Sequence, residues 1–274
     1  MINKGIRIAF QGERGAYSEM AIMLNFPAST AIPLKTFYDV FETVKTYSNR
    51  KAVVPIENSI EGSVSETYDL LLQDKIYVSG EIFQRINHCL IVNKEYKKII
   101  NVYSHPQALG QCRNYIQSKK LEPIPAFDTA GAVKFIKENK MMKSAAIASK
   151  RAAEIYDMEI LEEGIEDKQN NFTRFLIVSK KSNNQTNADK TSIIFSISHT
   201  PGSLCTILKE FALKNINLTK IESRPTKDIP WEYYFFVDFE GNIDEEKIKT
   251  SLLNIKKETI FFKILGSYKK AEII

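Results

Sequence analysis

Asn171-Phe172-Thr173-Arg174-Phe175-Leu176-Ile177-Val178 sets a hydroxyl beside a guanidinium, between two phenylalanines, at the head of an apolar run. Neighbouring side chains of a strand point to opposite faces. Thr173 and Arg174 can therefore share one ligand only where the strand begins, at the lip of a cleft. The alternative is an ordinary strand in which Thr173 is a good β-former and Arg174 is solvated. The rest of the chain decides between them.

Upstream, short β-rich runs alternate with helical periods. Ile6–Phe10, Ala31–Leu34 and Ala52–Ile56 read as strands, and Tyr17–Leu24, Phe37–Tyr47 and Val64–Leu72 as helices. Such alternation builds βαβ units and a mostly parallel sheet. A longer β-rich crossing, Ile76–Phe83 then His88–Val92, interrupts the rhythm. It resumes with strand Val102–Ser104, helix Gln107–Ser118, a short strand near Ile124, helix Ala130–Glu138 and strand Ala145–Ala148. A return crossing near Leu161 leads back to the opening stretch. The expectation is an α/β fold of two lobes, the second covering roughly 80–165. Ligands of open α/β sheets sit beyond the carboxyl ends of strands. Those ends carry Gln11-Gly12, Glu57-Asn58-Ser59, Ser104-His105, Asp128-Thr129 and Ser149, a cluster of short hydrogen-bonding groups that suits a small-molecule cleft.

Lys180–Lys190 (KKSNNQTNADK) is polar and rich in turn formers. It divides the chain into a domain of residues 1–181, a linker of 182–190 and a domain of 191–274. In the last of these, Ser192–Ser198 reads as a strand, and Leu204, Ile207, Leu208 and Phe211 follow helical spacing. Leu218–Arg224 and Trp231–Asp238 read as strands around a Pro225–Pro230 turn, followed by a helix marked by Ile248, Leu252 and Ile255 and a strand at Ile260–Leu265. That order, βαββαβ, is ferredoxin-like.

Composition narrows the function. Acidic residues nearly balance basic ones, leaving a formal net charge of +5, and the lysines fall singly or in pairs such as Lys97-Lys98 and Lys119-Lys120. Without a basic stripe interleaved with aromatics, no nucleic-acid partner is expected. A mildly positive field favours an anionic small molecule. Cys89, Cys112 and Cys205 stand in unrelated contexts with no CxxC spacing, which fits a reducing compartment. No apolar run has the length of a secretory core or a membrane span, so a cytoplasmic protein with no membrane partner is expected.

Several chemistries find no motif. Gly12-Glu13-Arg14-Gly15 follows the first strand but lacks GxGxxG, and no acidic residue ends the second strand to hold a ribose. What remains is a tight turn opening a helix at Ala16-Tyr17-Ser18, either a plain turn or one whose N–H groups hold a carboxylate. Pro55–Gly62 and Ser104–Gln107 likewise read either as capped turns or as parts of a site. His88, His105 and His199 have no Cys or carboxylate at metal-ligand spacing. GxSxG is missing, so a nucleophile elbow is not expected. Chemistry without metal or cofactor is what the sequence leaves.

Taken together, the segments closely resemble the prephenate dehydratase family. The motifs are Gly12-x-x-Gly15-Ala16-Tyr17-Ser18, Pro55–Gly62, Asn87-His88-x-Leu90, Ser104–Cys112, Asp128–Ala132, Ala145–Ser149 and Asn171–Phe175. The C-terminal part resembles the ACT domain of those enzymes through Pro201-Gly202-Ser203-Leu204, Ile216–Lys220 and Ile221–Pro225, with Ser203 where the family often has Ala.

The resemblance implies a two-lobed, periplasmic-binding-protein-like catalytic domain followed by a regulatory one. It implies decarboxylating dehydration of prephenate to phenylpyruvate in phenylalanine biosynthesis, without cofactor. On this reading Thr173 donates to the departing hydroxyl, Arg174 pairs with a substrate carboxylate, and Asn58, Ser104, Gln111 and Glu57 surround the developing charge. Gly15, Ala16, Ser59, His105, Thr129 and Phe175 complete the substrate site. L-phenylalanine is the implied effector, bound by Gly202, Ser203, Leu204, Asn217, Leu218, Glu222 and Ser223, in a homodimer or homotetramer. The chain starts at its first strand, so a monofunctional enzyme without a chorismate mutase bundle is expected. Two alternatives stay open: arogenate as substrate, and a non-catalytic two-lobed amino-acid sensor, although a degenerate sensor is not expected to keep the Thr-Arg pair.

Overall fold

The computed structural model describes residues 5–73, 75–182, 187–227 and 229–273, so part of the expected linker lies outside the described residues. The first lobe is built from β1 (Arg7–Gln11), α1 (Tyr17–Asn25), β2 (Thr30–Leu34), α2 (Phe37–Thr46), β3 (Arg50–Asn58), β4 (Gly62–Ser63), α3 (Ser65–Leu71) and β5 (Tyr77–Arg85). β1 runs parallel to both β2 and β3. Thr36 starts α2 with a capping box to Asp39, and Val40, Phe41 and Val44 turn inward. β3 is apolar on both faces because helices cover both. Val53 joins Ala21 and Ile22 of α1 in one core, while Ala52 and Val54 join Val40, Phe41 and Val44 in another.

The second lobe comprises β6 (Cys89–Val92), β7 (Asn101–Ser104), α4 (Pro106–Gln111), α5 (Arg113–Ser118), β8 (Glu122–Pro125), α6 (Thr129–Glu138), β9 (Ser144–Ala148), α7 (Lys150–Ile155) and β10 (Glu159–Glu163). Its sheet order is β10-β6-β9-β7-β8. Central β9 is wholly buried; Ala146 and Ala148 pack toward α6 and α7, Ala145 and Ile147 toward α4 and α5. The helix expected over Gln107–Ser118 breaks at Cys112, whose φ of −110° and ψ of 23° leave the helical region. The sequence reading did not foresee α7. Ser149 caps it, accepting from the Ala152 N–H at 3.1 Å.

β11 (Phe172–Ser179) returns to the first sheet, antiparallel between β3 and β5, giving the order β2-β1-β3-β11-β5. β5 stays in that sheet through Arg85, so the crossing to the second lobe falls at Ile86–His88 rather than near residue 80. There the two connecting strands are tied together: Ile86 N–H donates to the Asn171 carbonyl at 2.8 Å, and His88 N–H to Glu166 Oε2 at 2.8 Å.

The remaining elements are β12 (Lys190–Ser196), α8 (Ser203–Leu213), β13 (Leu218–Pro225), β14 (Tyr233–Glu240), α9 (Glu246–Lys257) and β15 (Phe261–Tyr268). They form the βαββαβ arrangement in the order β13-β14-β12-β15. The open face of this sheet does not meet water. Ile194, Phe236, Leu265 and Tyr268 share one core with Leu176, Val178 and α2. β15 approaches β5 so closely that a Cβ on Gly266 would lie 2.0 Å from the Val78 carbonyl oxygen. Among the described residues no helix is long and apolar enough to cross a membrane.

Candidate active site

A cleft of about 680 Å³ opens between the lobes, at the carboxyl ends of the parallel strands. The first lobe lines it with Gln11, Lys35 and Asn58, the second with His105, Gln111 and Thr129, and β11 with Thr173 and Phe175.

The floor of the cleft is one chain of hydrogen bonds whose direction is fixed at its end. Asn58 Oδ1 accepts from the N–H groups of Ile60 (2.9 Å) and Glu61 (3.0 Å), so the other side of this amide must be the donor. Asn58 Nδ2 donates to Thr173 Oγ1 at 3.0 Å and to Asn171 Oδ1 at 2.8 Å. Asn171 Nδ2 then donates to Gln111 Oε1 at 2.8 Å. His88 Nε2 lies 2.9 Å from the same oxygen and must carry a proton there. In a neutral ring that leaves Nδ1 as an acceptor, 3.0 Å from the Tyr17 hydroxyl, whose single proton is shared between Nδ1 and the Asn87 carbonyl at 2.8 Å. Burial lowers the His88 pKa, which keeps the ring neutral, and burial raises that of Tyr17, which keeps the phenol protonated. Thr173 Oγ1 is thus an acceptor toward Asn58, which leaves its own proton available to a group in the cleft that it lines.

Asn58 reaches this position through a bulge. Pro55 lines the cleft and Ile56 belongs to the core on the opposite face. Strict alternation would send Glu57 to the cleft and Asn58 away. The β3–β11 register slips between Arg174 and Phe175, inserting one extra residue in β3. Glu57 therefore follows Ile56 to the far face and Asn58 returns to the cleft, a use of bulges typical near active sites.

Alternation along β11 separates the opening pair. Thr173 faces the cleft, whereas Arg174 is 3% exposed on the other face of the sheet. Its guanidinium meets Glu81 (2.7 Å), Asp238 (2.6 Å) and Glu57 (3.3 Å). The expected pairing of Arg174 with a substrate carboxylate is therefore corrected, and Glu57 leaves the set around the reacting atoms with it. Ser104 is fully buried behind the wall, donating to the Ile147 carbonyl at 2.5 Å. Ser59 clamps the return strand, its hydroxyl donating to the Asn170 carbonyl at 3.0 Å and accepting from Phe172 N–H at 2.9 Å. Gly15, at φ 90°, packs against Ala152 of the second lobe and accepts from Ser149 Oγ at 2.5 Å. Ala16, His105, Thr129 and Phe175 line the cleft with Asn58, Gln111 and Thr173.

Sequence reasoning missed His88, Tyr17, Asn171 and Lys35. His88 was weighed as a metal ligand and counted in the Asn87-His88-x-Leu90 motif without a role; that motif was the available signal, and only the fold sets the ring between Tyr17 and Gln111. Lys35 directly follows β2 and is the only lysine or arginine among the described residues lining the cleft. Asp128 also lines it while capping α6 through the Gly131 N–H at 2.5 Å; burial raises its pKa.

A second pocket, of about 440 Å³, lies in the C-terminal domain where β12 turns into α8. Gly202, with φ 89°, starts the helix, and Ser203, Leu204, Trp231 and Tyr233 stand around the opening. The other expected effector residues are not brought there within one chain. Asn217 donates to Glu240 Oε2 at 3.2 Å, Leu218 packs toward the domain core, Glu222 accepts from Ser63 Oγ at 2.8 Å, and Ser223 is exposed on β13.

Residues 8–183 match the prephenate dehydratase family and residues 191–256 the ACT domain family. Arogenate dehydratase/prephenate dehydratase 2 of Arabidopsis thaliana, a chloroplastic protein, is 40% identical over 96% of this chain and 72% of its own length. The structure of GqqA, a quorum quenching acylase, is 31% identical with a TM-score of 0.89, covering 97% of this chain and 98% of that one. Prephenate dehydratase of Arthrobacter aurescens, solved in complex with L-Phe, is 28% identical with a TM-score of 0.88 over 96% of this chain and 90% of that one.

Proposed function

The chain belongs to the prephenate dehydratase family, and on that premise we propose that it converts prephenate to phenylpyruvate in phenylalanine biosynthesis, with L-phenylalanine as feedback inhibitor at the C-terminal domain. The ring carboxylate leaves as carbon dioxide, its bonding pair enters the ring, and the hydroxyl on the opposite ring carbon departs, taking a proton to become water. The electrons balance within the substrate and the product ring is aromatic, so no external electron acceptor is needed. The protein has to supply a donor at the departing oxygen and an environment that holds a dianion.

The observation that carries this reading is the direction of the Thr173 hydroxyl, free to donate because Asn58 already donates to its oxygen. A donor held in place before charge develops needs no reorganisation during the reaction. Lys35 and the first-turn N–H groups of α1 support binding of the carboxylates. Incubation with prephenate should produce phenylpyruvate, inhibited by phenylalanine; no product from prephenate or arogenate would overturn the proposal.

Arogenate is a second reading on specific grounds. The Arabidopsis relative carries both names, and Glu61, Glu66 and Asp128 in the lining suit an ammonium group. Product identity, phenylalanine instead of phenylpyruvate, separates the two. Acylase chemistry like GqqA's requires a nucleophile with a base in reach; Thr173 instead bonds to an amide without basicity.

We further assign residues 1–181 as the catalytic domain, 182–190 as linker and 191–274 as the regulatory domain. β13 leaves one edge of its sheet open, with Thr219, Ile221 and Ser223 exposed, which favours a homodimer or homotetramer. The exposed, unpaired Cys205 fits a reducing, cytoplasmic setting.

A further inference from the structure

Arg174 and Glu57 have charged partners on both sides of the domain boundary. Beyond its three carboxylates, Arg174 donates to the Tyr268 hydroxyl at 3.3 Å. Lys190 of β12 reaches Glu81 at 2.8 Å, and Lys220 of β13 pairs with Glu57. Asp238 of β14 also accepts from Ser192 Oγ at 2.5 Å. The cluster is closed in charge: Arg174, Lys190 and Lys220 face Glu57, Glu81 and Asp238. Its halves are not. The catalytic domain brings one cation and two carboxylates, the C-terminal sheet, whose β12 begins at Lys190, two cations and one carboxylate.

Each half thus depends on the other to avoid an uncompensated buried charge, which is strongly destabilising. A shift of β13 or β14 has to be followed by Arg174 and Glu57. These two lie opposite each other in the β11–β3 register, and the next pair along is Thr173 opposite Asn58. One face of this short ladder grips the regulatory domain while the other presents the hydroxyl donor and its amide. A second link runs parallel: Ser63, which lines the cleft, donates to Glu222 of β13 at 2.8 Å.

We propose that Arg174 and Glu57 are positioning residues through which the regulatory domain sets the placement of Thr173 and Asn58, by way of Asp238 and Lys220. The proposal rests on the feedback inhibition put forward above. Coupling between two sites is a free-energy difference shared by both ligands, so cutting these contacts should uncouple inhibition from effector binding.

Lys220→Met and Asp238→Asn test this separately, the former removing a surface-proximal partner with little risk to folding. In each, kcat without phenylalanine should stay within about threefold of wild type, while the phenylalanine concentration for half-inhibition rises about tenfold or more. Trp231, the only tryptophan, lines the second pocket, so phenylalanine binding there should change its fluorescence. That binding should persist in both variants, and its weakening by prephenate should disappear. Wild-type inhibition curves in both variants would overturn the proposal, as would loss of kcat with phenylalanine sensitivity unchanged. A wild-type enzyme that turns over prephenate but ignores phenylalanine would instead remove the feedback premise itself.

Discussion

Asn58 has only one workable orientation, and that orientation reaches Tyr17 through Asn171, Gln111 and His88. The sequence supplied Asn58 and Gln111 as site candidates, but neither the other members nor their polarity, which depends on two backbone N–H groups that exist only once the turn after β3 has formed. His88 gives a pH test. Burial holds its pKa below the ordinary value, so below about pH 6.5 the unfolded chain takes up a proton that the folded chain does not. Stability is then full above that pH and falls as pH drops through the window between the two values. Unfolding free energies measured in urea should fall more steeply on acidification in wild type than in His88→Gln, by up to about 1.4 kcal/mol per pH unit. Equal slopes would mean that His88 is not held neutral. Lys35 gives a binding test. With Arg174 turned away, Lys35→Gln should raise KM for prephenate about tenfold with kcat little changed, the difference shrinking as salt screens the pair. An unchanged KM would assign the carboxylates to other groups.

Elements place these residues where alternation alone would not. The octapeptide was read correctly as a strand, and the rule that neighbours face opposite ways was available from the start. What it lacked was the strand's first residue: because β11 already pairs at Phe172 and Thr173, Arg174 has no loop geometry to bring it back to the cleft. Its partners Glu81 and Asp238 are distant in sequence, so nothing local announces a buried ion cluster. The bulge in β3 is likewise invisible in Pro55–Asn58, yet it exchanges Glu57 for Asn58 at the site. Gly15 was assigned to substrate because it opens a helix, whereas its lack of a Cβ serves the seam between lobes. A methyl there would lie 2.6 Å from Ala152 Cα, on a backbone with φ 90°. Gly15→Ala should therefore cost about 1–3 kcal/mol in urea unfolding and raise KM by loosening the lobes. A variant as stable as wild type would show that α7 can move aside.

At the scale of the whole molecule, the order of lobes and the ferredoxin-like domain were legible because periodicity and turn residues mark them locally. How the domains meet was not. The C-terminal sheet completes a core with Leu176 and Val178, and the charges of Glu57, Arg174 and Glu81 are balanced only with Lys190, Lys220 and Asp238 in place. β11 thereby belongs to the catalytic cleft on one face and to the regulatory domain on the other, and the same strand joins chemistry to control. The most direct test of this account replaces the hydroxyl alone, since Val matches Thr in shape. In Thr173→Val, prephenate turnover should fall by roughly 10²–10⁴-fold in kcat with KM and the unfolding midpoint little changed. A Thr173→Val protein that turns prephenate over at the wild-type rate would contradict it.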